Sequence, residues 1–192
     1  MLRRIRCAGF VPSASSTRAP SAGTRIAAVP GMTLDKYRTG DLVVLPSTAS
    51  IQAAARVFER GGVGAVLVHD GASLVGIVTD RDLALRVIAR GLTPSRTLLR
   101  DVMSHDVVTL PVDASEGEAG RLMLDRHVRR IPLLEGTTLV GIVTLDDLIL
   151  DEAVSPSMIA AVIRSQLADA TQMDRASAAL RTGPVLAVAA VA

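Results

Sequence analysis

Leu74-Val75-Gly76-Ile77-Val78-Thr79 and Leu139-Val140-Gly141-Ile142-Val143-Thr144 are the same six residues written twice, 65 positions apart. Sliding the chain over itself at that offset lays Asp41 to Ala84 over Asp106 to Ile149 without a gap, and 18 of the 44 positions are identical. Asp82-Leu83 recurs as Asp147-Leu148 just beyond the hexapeptide. Self-similarity at one fixed offset is the mark of a duplicated structural unit.

Each copy reads alike when followed outward from that block. A short apolar run, Leu42 to Leu45 or Val107 to Leu110, is stopped by Pro46 or Pro111, as at the end of a strand. Ser50 and Ser115 stand where helix N-caps belong, the second with Glu118 three residues on as a capping box. Gly61-Gly62 closes the first helix. An apolar strand, Ala65 to Val68 or Ile131 to Leu134, then turns at Asp70-Gly71 or Glu135-Gly136 into a second strand ending Gly-Ile-Val-Thr. A helix follows each Thr, expected over 80–90 and stopped by Gly91 in the first copy, and over 145–153 in the second.

The fold class is therefore α/β (α+β): two tandem βαββα units, with boundaries expected at 35–92 and 93–153. Residues 154–192 form a tail in which Met158 to Leu167 is amphipathic, a helix to cover the module or a partner, before small apolar residues from Gly183 that are expected to fray. Residues 1–34 are rich in Arg, Ser, Ala and Pro without periodicity. They read as a disordered segment, either a transit sequence or the product of a mis-assigned start with Met32 as the true initiator.

Composition narrows the function. The 192 residues include no Trp, one Tyr and two Phe, so the core is aliphatic and stacking on single-stranded nucleic acid is not expected. The net charge of +2 comes from the arm: residues 1–34 hold five Arg and no acid, whereas 35–152 hold 13 basic against 17 acidic residues. A mildly acidic body offers no face for counterion release, so no nucleic acid partner is expected. No apolar run approaches the length of a membrane span, so no membrane partner is expected either. The lone Cys7 excludes an intrachain disulfide and fits a reducing, cytoplasmic compartment. The near-exclusive use of Arg over Lys, together with the Ala content, hints at a GC-rich bacterial gene.

The pattern Gly-hydrophobic-hydrophobic-Thr-x-x-Asp at Gly76 to Asp82 and Gly141 to Asp147 resembles the CBS domain, a family named for cystathionine β-synthase. Asp101-Val102-Met103-Ser104 and Val128 to Leu133 are similar to the same family's wording, and the match covers roughly residues 38–152. The resemblance implies two repeats related by a pseudo-twofold axis, their sheets face to face with clefts between, and an adenosyl ligand in those clefts: AMP, ADP, ATP or S-adenosylmethionine. It implies that Thr79 and Thr144 touch phosphate or ribose and that Asp82 and Asp147 hold the ribose hydroxyls. Backbone near Val44, Ala65, Thr109 and Ile131 would line the adenine slot. Arg129 and Arg130 align with Gly64 and Ala65 and would fork onto phosphate, favouring the Asp147 site for a charged nucleotide.

The residues also admit a plainer account, since Thr followed three residues later by an acid is what a helix start wants for capping alone. No catalytic residue is assigned: no nucleophile elbow or P-loop is visible, and the acids Asp80, Asp82, Asp146 and Asp147 all lie at helix starts. His69, His105 and His127 lack metal-ligand spacing, so no metal and no required cofactor is expected. The expected function is a regulatory module that signals to a protein partner by a shift of conformation, itself a homodimer, as pairs in this family associate into flat discs. The rival is a ligand-free interaction scaffold, and an enzyme would be betrayed only by turnover.

Overall fold

A computed structural model of the chain describes residues 33–39, 42–71 and 73–179, with side chains as far as Ala168. The Arg-rich segment up to Met32, Cys7 included, and the tail from Gly183 lie outside the described residues.

Both copies fold as read, into mixed α+β units with one three-stranded sheet each. In the first, β1 (Val44–Pro46) lies parallel to β2 (Ala65–Asp70), and β2 lies antiparallel to β3 (Ser73–Thr79). Helix α1 (Ile51–Gly61) makes the crossover, and α2 (Asp80–Asp82) follows β3. The second repeats this with β4 (Leu110–Pro111), α3 (Glu116–Asp125), β5 (Arg130–Glu135), β6 (Thr138–Thr144) and α4 (Leu145–Leu150). Equivalence reaches the single residue: Val68 pairs with Gly76 and His69 with Leu74, while Leu133 pairs with Gly141 and Leu134 with Leu139, so both hairpins bulge at the same place.

Local chemistry sets these limits. The Ser50 hydroxyl accepts from the Ala53 N–H at 3.2 Å, and Gly62 ends α1 in the left-handed region at φ +61°. Two helices depart from expectation. The one after Thr79 is α-helical only to Asp82 and continues as a π-helix, Leu83–Ile88, in which the Ala89 N–H bonds the Ala84 carbonyl five residues back. That wider turn buries Val87 completely and leaves Ile88 out. Helix α4 stops at Leu150, short of Ala153, because Glu152 takes φ +52° and cannot continue it. Beyond it, α5 (Pro156–Ala179) lies on α3, with Val162 buried in the second core and Val154 and Met158 packed over Gly120.

The expected domain boundaries are moved by an exchange of leading segments. Residues 33–39, ahead of the first repeat, are held on the second: Leu34 N–H bonds the Ala114 carbonyl at 2.9 Å and Thr39 N–H the Val140 carbonyl at 3.1 Å. Residues 98–104, ahead of the second repeat, are held on the first: Leu99 N–H bonds the Ala49 carbonyl at 2.9 Å, and Ser104 and Ile77 exchange two bonds of 3.0 Å. Leu34 and Leu99 stand 65 residues apart, and both are fully buried in the core of the opposite repeat. Leu34 thus belongs to the folded body, not to the disordered arm that 1–34 was expected to form. Similarly, the linker expected around Leu92 to Arg100 ends in a segment that is core structure for the first repeat. The duplicated unit runs back to Thr33 and Leu98, beyond the stretch where identity is visible.

A third apolar cluster joins the two sheets, with Val44, Leu67 and Leu74 of one repeat against Val107, Leu134 and Leu139 of the other. Glycine lets each exchanged segment cross the opposing strand. A Cβ on Gly141 would run into the Tyr37 carbonyl oxygen, with Tyr37 C at 3.2 Å and Arg38 Cα at 3.3 Å. The three atoms nearest a Cβ on Gly76 all belong to the Met103 side chain, whose far end yields more easily than backbone. Gly141→Ala is therefore expected to cost about 1–3 kcal/mol, the range for overpacking, and Gly76→Ala clearly less. Denaturant midpoints of the two variants check the order, and equal costs would contradict it.

Candidate functional site

Both Thr-x-x-Asp turns form complete capping boxes. The Asp147 Oδ2 accepts from the Thr144 N–H at 2.8 Å and from the Thr144 hydroxyl at 2.7 Å, and the Asp147 N–H donates to Thr144 Oγ1 at 3.1 Å. In the first repeat the corresponding distances are 2.9, 2.7 and 3.2 Å for Thr79 and Asp82. β3 and β6 deliver each Thr in extended conformation at the strand end, and the helix start folds the acid back over it. These bonds spend the N–H of each Thr and the proton of the hydroxyl that the resemblance implies would touch phosphate or ribose. What each box leaves over is the second carboxylate oxygen, fixed in direction by the first.

There the copies part. Asp82 Oδ1 lies 3.2 Å from Arg86 Nε, whereas Asp147 Oδ1 has no partner among the described residues. The residue equivalent to Arg86 is Asp151, which turns to Lys36 and Tyr37 instead.

The remaining predicted residues fall into three groups. Arg130 pairs with Thr144 across β5 and β6, and Ala65 with Thr79 across β2 and β3, so both stand beside the capping boxes. Ile131 is fully buried in the second core and Val44 in the cluster between the sheets, so only their backbones remain to face a ligand. Thr109 precedes β4 and is half-buried. The two arginines have different surroundings. Arg129 is neutralised by Asp146 at 3.3 Å. Arg130 reaches over Gly64 of the first repeat, its Nη2 only 2.7 Å from where a Cβ would stand, with Asp80 Oδ2 3.7 Å from the same point. Gly64 is thus the clearance that admits a cation from the other repeat.

One charged cluster was missed. Lys36, the chain's sole lysine, lies 2.6 Å from the buried Glu116 and 3.0 Å from Asp151, and the Tyr37 hydroxyl lies within hydrogen-bond reach of the same two acids at 3.0 and 2.8 Å, with one proton to share between them. It pins the exchanged N-terminal segment to the second repeat, and neither its partners' separation in sequence nor any motif announces it. Its hydrogen bond to Glu116, then that to Asp151, holds the Lys36 ammonium above its ordinary pKa. Burial first, then the bonds to Asp151 and Glu116, push the Tyr37 phenol up; Lys36, then Tyr37, pull the Asp151 carboxyl down. Among the described residues no group of three or more His, Cys, Asp and Glu side chains converges to hold a metal, and no helix is long and apolar enough to cross a membrane.

Residues 35–89 and 99–151 each match the CBS domain family, one copy per repeat. The chain belongs to the CBS domain family. Its relatives in that family include YlbB of Bacillus subtilis, 42% identical over 116 residues that are 59% of this chain and 78% of that protein. The protein MK0525 of Methanopyrus kandleri is 33% identical over 118 residues, 61% of this chain, which spans 59% of that protein's length. Among solved structures, a CBS-domain protein of Burkholderia ambifaria superposes with TM-score 0.57 at 29% identity, covering 62% of this chain and 85% of that one. The two matched segments leave 90–98 between them.

The linkage of the pinning cluster to folding has a definite sign. Asp151 is more acidic folded than unfolded, so its contribution is present above its ordinary pKa of 3.8 and lost as pH falls through the lowered folded value. Lys36 is less acidic folded, so its contribution holds below 10.5 and is lost as pH rises through the raised folded value. Asp151→Asn is expected to destabilise at neutral pH and to flatten the fall in stability below about pH 4. Denaturation midpoints across pH check this, and parallel curves for the variant and the parent would refute it.

Proposed function

We propose that this CBS pair is a regulatory module, not an enzyme, that binds an adenosyl ligand through the ribose at Thr144 and Asp147 and passes the occupancy to a partner chain. The observation that carries the reading is the free Oδ1 of Asp147. It belongs to a half-buried carboxylate whose Oδ2 is held by two short bonds from Thr144, and it is the kind of acceptor a ribose hydroxyl seeks. Arg130 stands beside Thr144 in the strand pairing, and its guanidinium, with no ion-pair partner among the described residues, reaches over Gly64 of the first repeat and is of a kind suited to phosphate oxygens. Signalling would follow from linkage: a ligand that binds one arrangement of the repeats more tightly shifts the population toward it.

The scaffold reading keeps one observation in its favour, because both capping boxes are complete without any ligand. Calorimetric titration of AMP, ADP, ATP and S-adenosylmethionine separates the two. Asp147→Ala is expected to weaken binding roughly tenfold or more, as for loss of a charged hydrogen bond, and to cost about 1 kcal/mol of stability through the lost cap. Asp82→Ala is expected to leave affinity nearly unchanged. No heat from any of the four ligands, or equal loss in both variants, would remove the proposal.

Self-association belongs to the same reading. The equivalent residues Leu85 and Leu150 are 50% and 81% exposed, Ile88 on the helix of Leu85 adds 72%, and Leu167 on α5 adds 65%. Apolar side chains presented at matched places on both repeats favour a symmetric interface between two copies. Light scattering is expected to give a dimer that Leu150→Glu shifts to monomer, and a monomeric parent would refute the assignment.

A further inference from the structure

Arg86 ties the first candidate site to the chain that joins the repeats. Its Nε lies 3.2 Å from Asp82 Oδ1, and its Nη1 donates to the Val102 carbonyl at 2.6 Å. The other carboxylate oxygen of Asp82 already accepts the N–H and hydroxyl of Thr79. Both oxygens are therefore engaged, on a side chain only 15% exposed, and a diol arriving there has to compete with the guanidinium for Oδ1. Val102 lies in the exchanged segment 98–104 and is buried in the first core, so its carbonyl is a fixed anchor. The second repeat has no such tie, since Asp151 at the equivalent position faces Lys36 and Tyr37 and leaves Asp147 Oδ1 open.

We propose that Arg86 is a latch on the first site: it keeps Asp82 from a ribose while the linker is seated, so the two sites of the pair are unequal. The second site then fills first. The first fills only when the guanidinium leaves Asp82 or lets go of the Val102 carbonyl, which loosens the linker. This rests on the adenosyl reading above and adds to it an order of filling and a route from ligand to linker.

The test compares the parent with Arg86→Met, which keeps an apolar stem without the charge, and Arg86→Gln, which frees Asp82 and retains an amide donor should the first variant fold poorly. Each is titrated calorimetrically with AMP, ATP and S-adenosylmethionine, and hydrogen exchange of the amides at 98–104 is followed without ligand. The parent is expected to bind one ligand per chain and either variant two. Exchange at Met103 and Ser104, whose N–H groups bond the Leu99 and Ile77 carbonyls, is expected to rise severalfold in Arg86→Met. The same non-zero stoichiometry in parent and variants would overturn the latch and leave the adenosyl reading standing. Absence of binding in all three proteins would overturn both.

Discussion

The structure depends on the reciprocal burial of Leu34 and Leu99, each in the core of the repeat it does not belong to. Neither sheet-helix unit closes on its own residues. The first core needs Leu99, Val102 and Met103 from the linker, and the second needs Leu34 from the leading segment. A fully buried leucine contributes about 2 kcal/mol or more relative to an exposed one, so the exchange binds the repeats more tightly than contact between two finished domains would. It also means that a shift of one repeat against the other pulls on a segment packed inside its neighbour. Mechanical connection between the two candidate sites is thus built into the backbone, before any side chain is considered.

The capping boxes show how one set of bonds serves two ends. Thr144 and Asp147 satisfy backbone groups that would otherwise be orphaned at the start of α4, and the same bonds hold the carboxylate to one rotamer with one oxygen outward. A preorganised acceptor loses little entropy on meeting a ligand, which is the usual requirement of a binding group. Stability and site geometry are not separable here, and removal of either residue alters both.

Legibility followed the range of the interactions. Strands, hairpin turns, serine caps and both Thr-x-x-Asp boxes are decided within a few residues, and the repeated wording at Leu74 to Thr79 and Leu139 to Thr144 exposed them. The bulge at Val68 and Leu133 and the exchange of segments were not readable, because they are fixed by partners far along the chain. Thr33 to Thr39 shares only Leu34 with Leu98 to Ser104, and a single apolar residue carries no signal above composition. The surroundings of the arginines were hidden for the same reason. Arg129 and Arg130 look like a free basic pair in sequence, yet one meets Asp146 and the other crosses to Gly64. Arg86 was within reach: an acid and a base four residues apart on a helix are neighbours, and its alignment with Asp151 marks a charge reversal between otherwise matched copies.

That reversal is instructive about how duplicated units diverge. Positions 86 and 151 do the same structural work, each binding the exchanged segment at the same place. Arg86 donates to the Val102 carbonyl, and Asp151 accepts from the hydroxyl of Tyr37, the residue equivalent to Val102. Either sign of charge suffices for that task, since a carbonyl and a hydroxyl can be offered in turn. The consequence differs one helical turn earlier, where a carboxylate stands in both copies. A guanidinium beside Asp82 neutralises it; a carboxylate beside Asp147 cannot, and needs Lys36 and Tyr37 to satisfy it from the other side. The reversal of charge at one position therefore gives the two acids different neighbours, while the strands that carry them keep the same register.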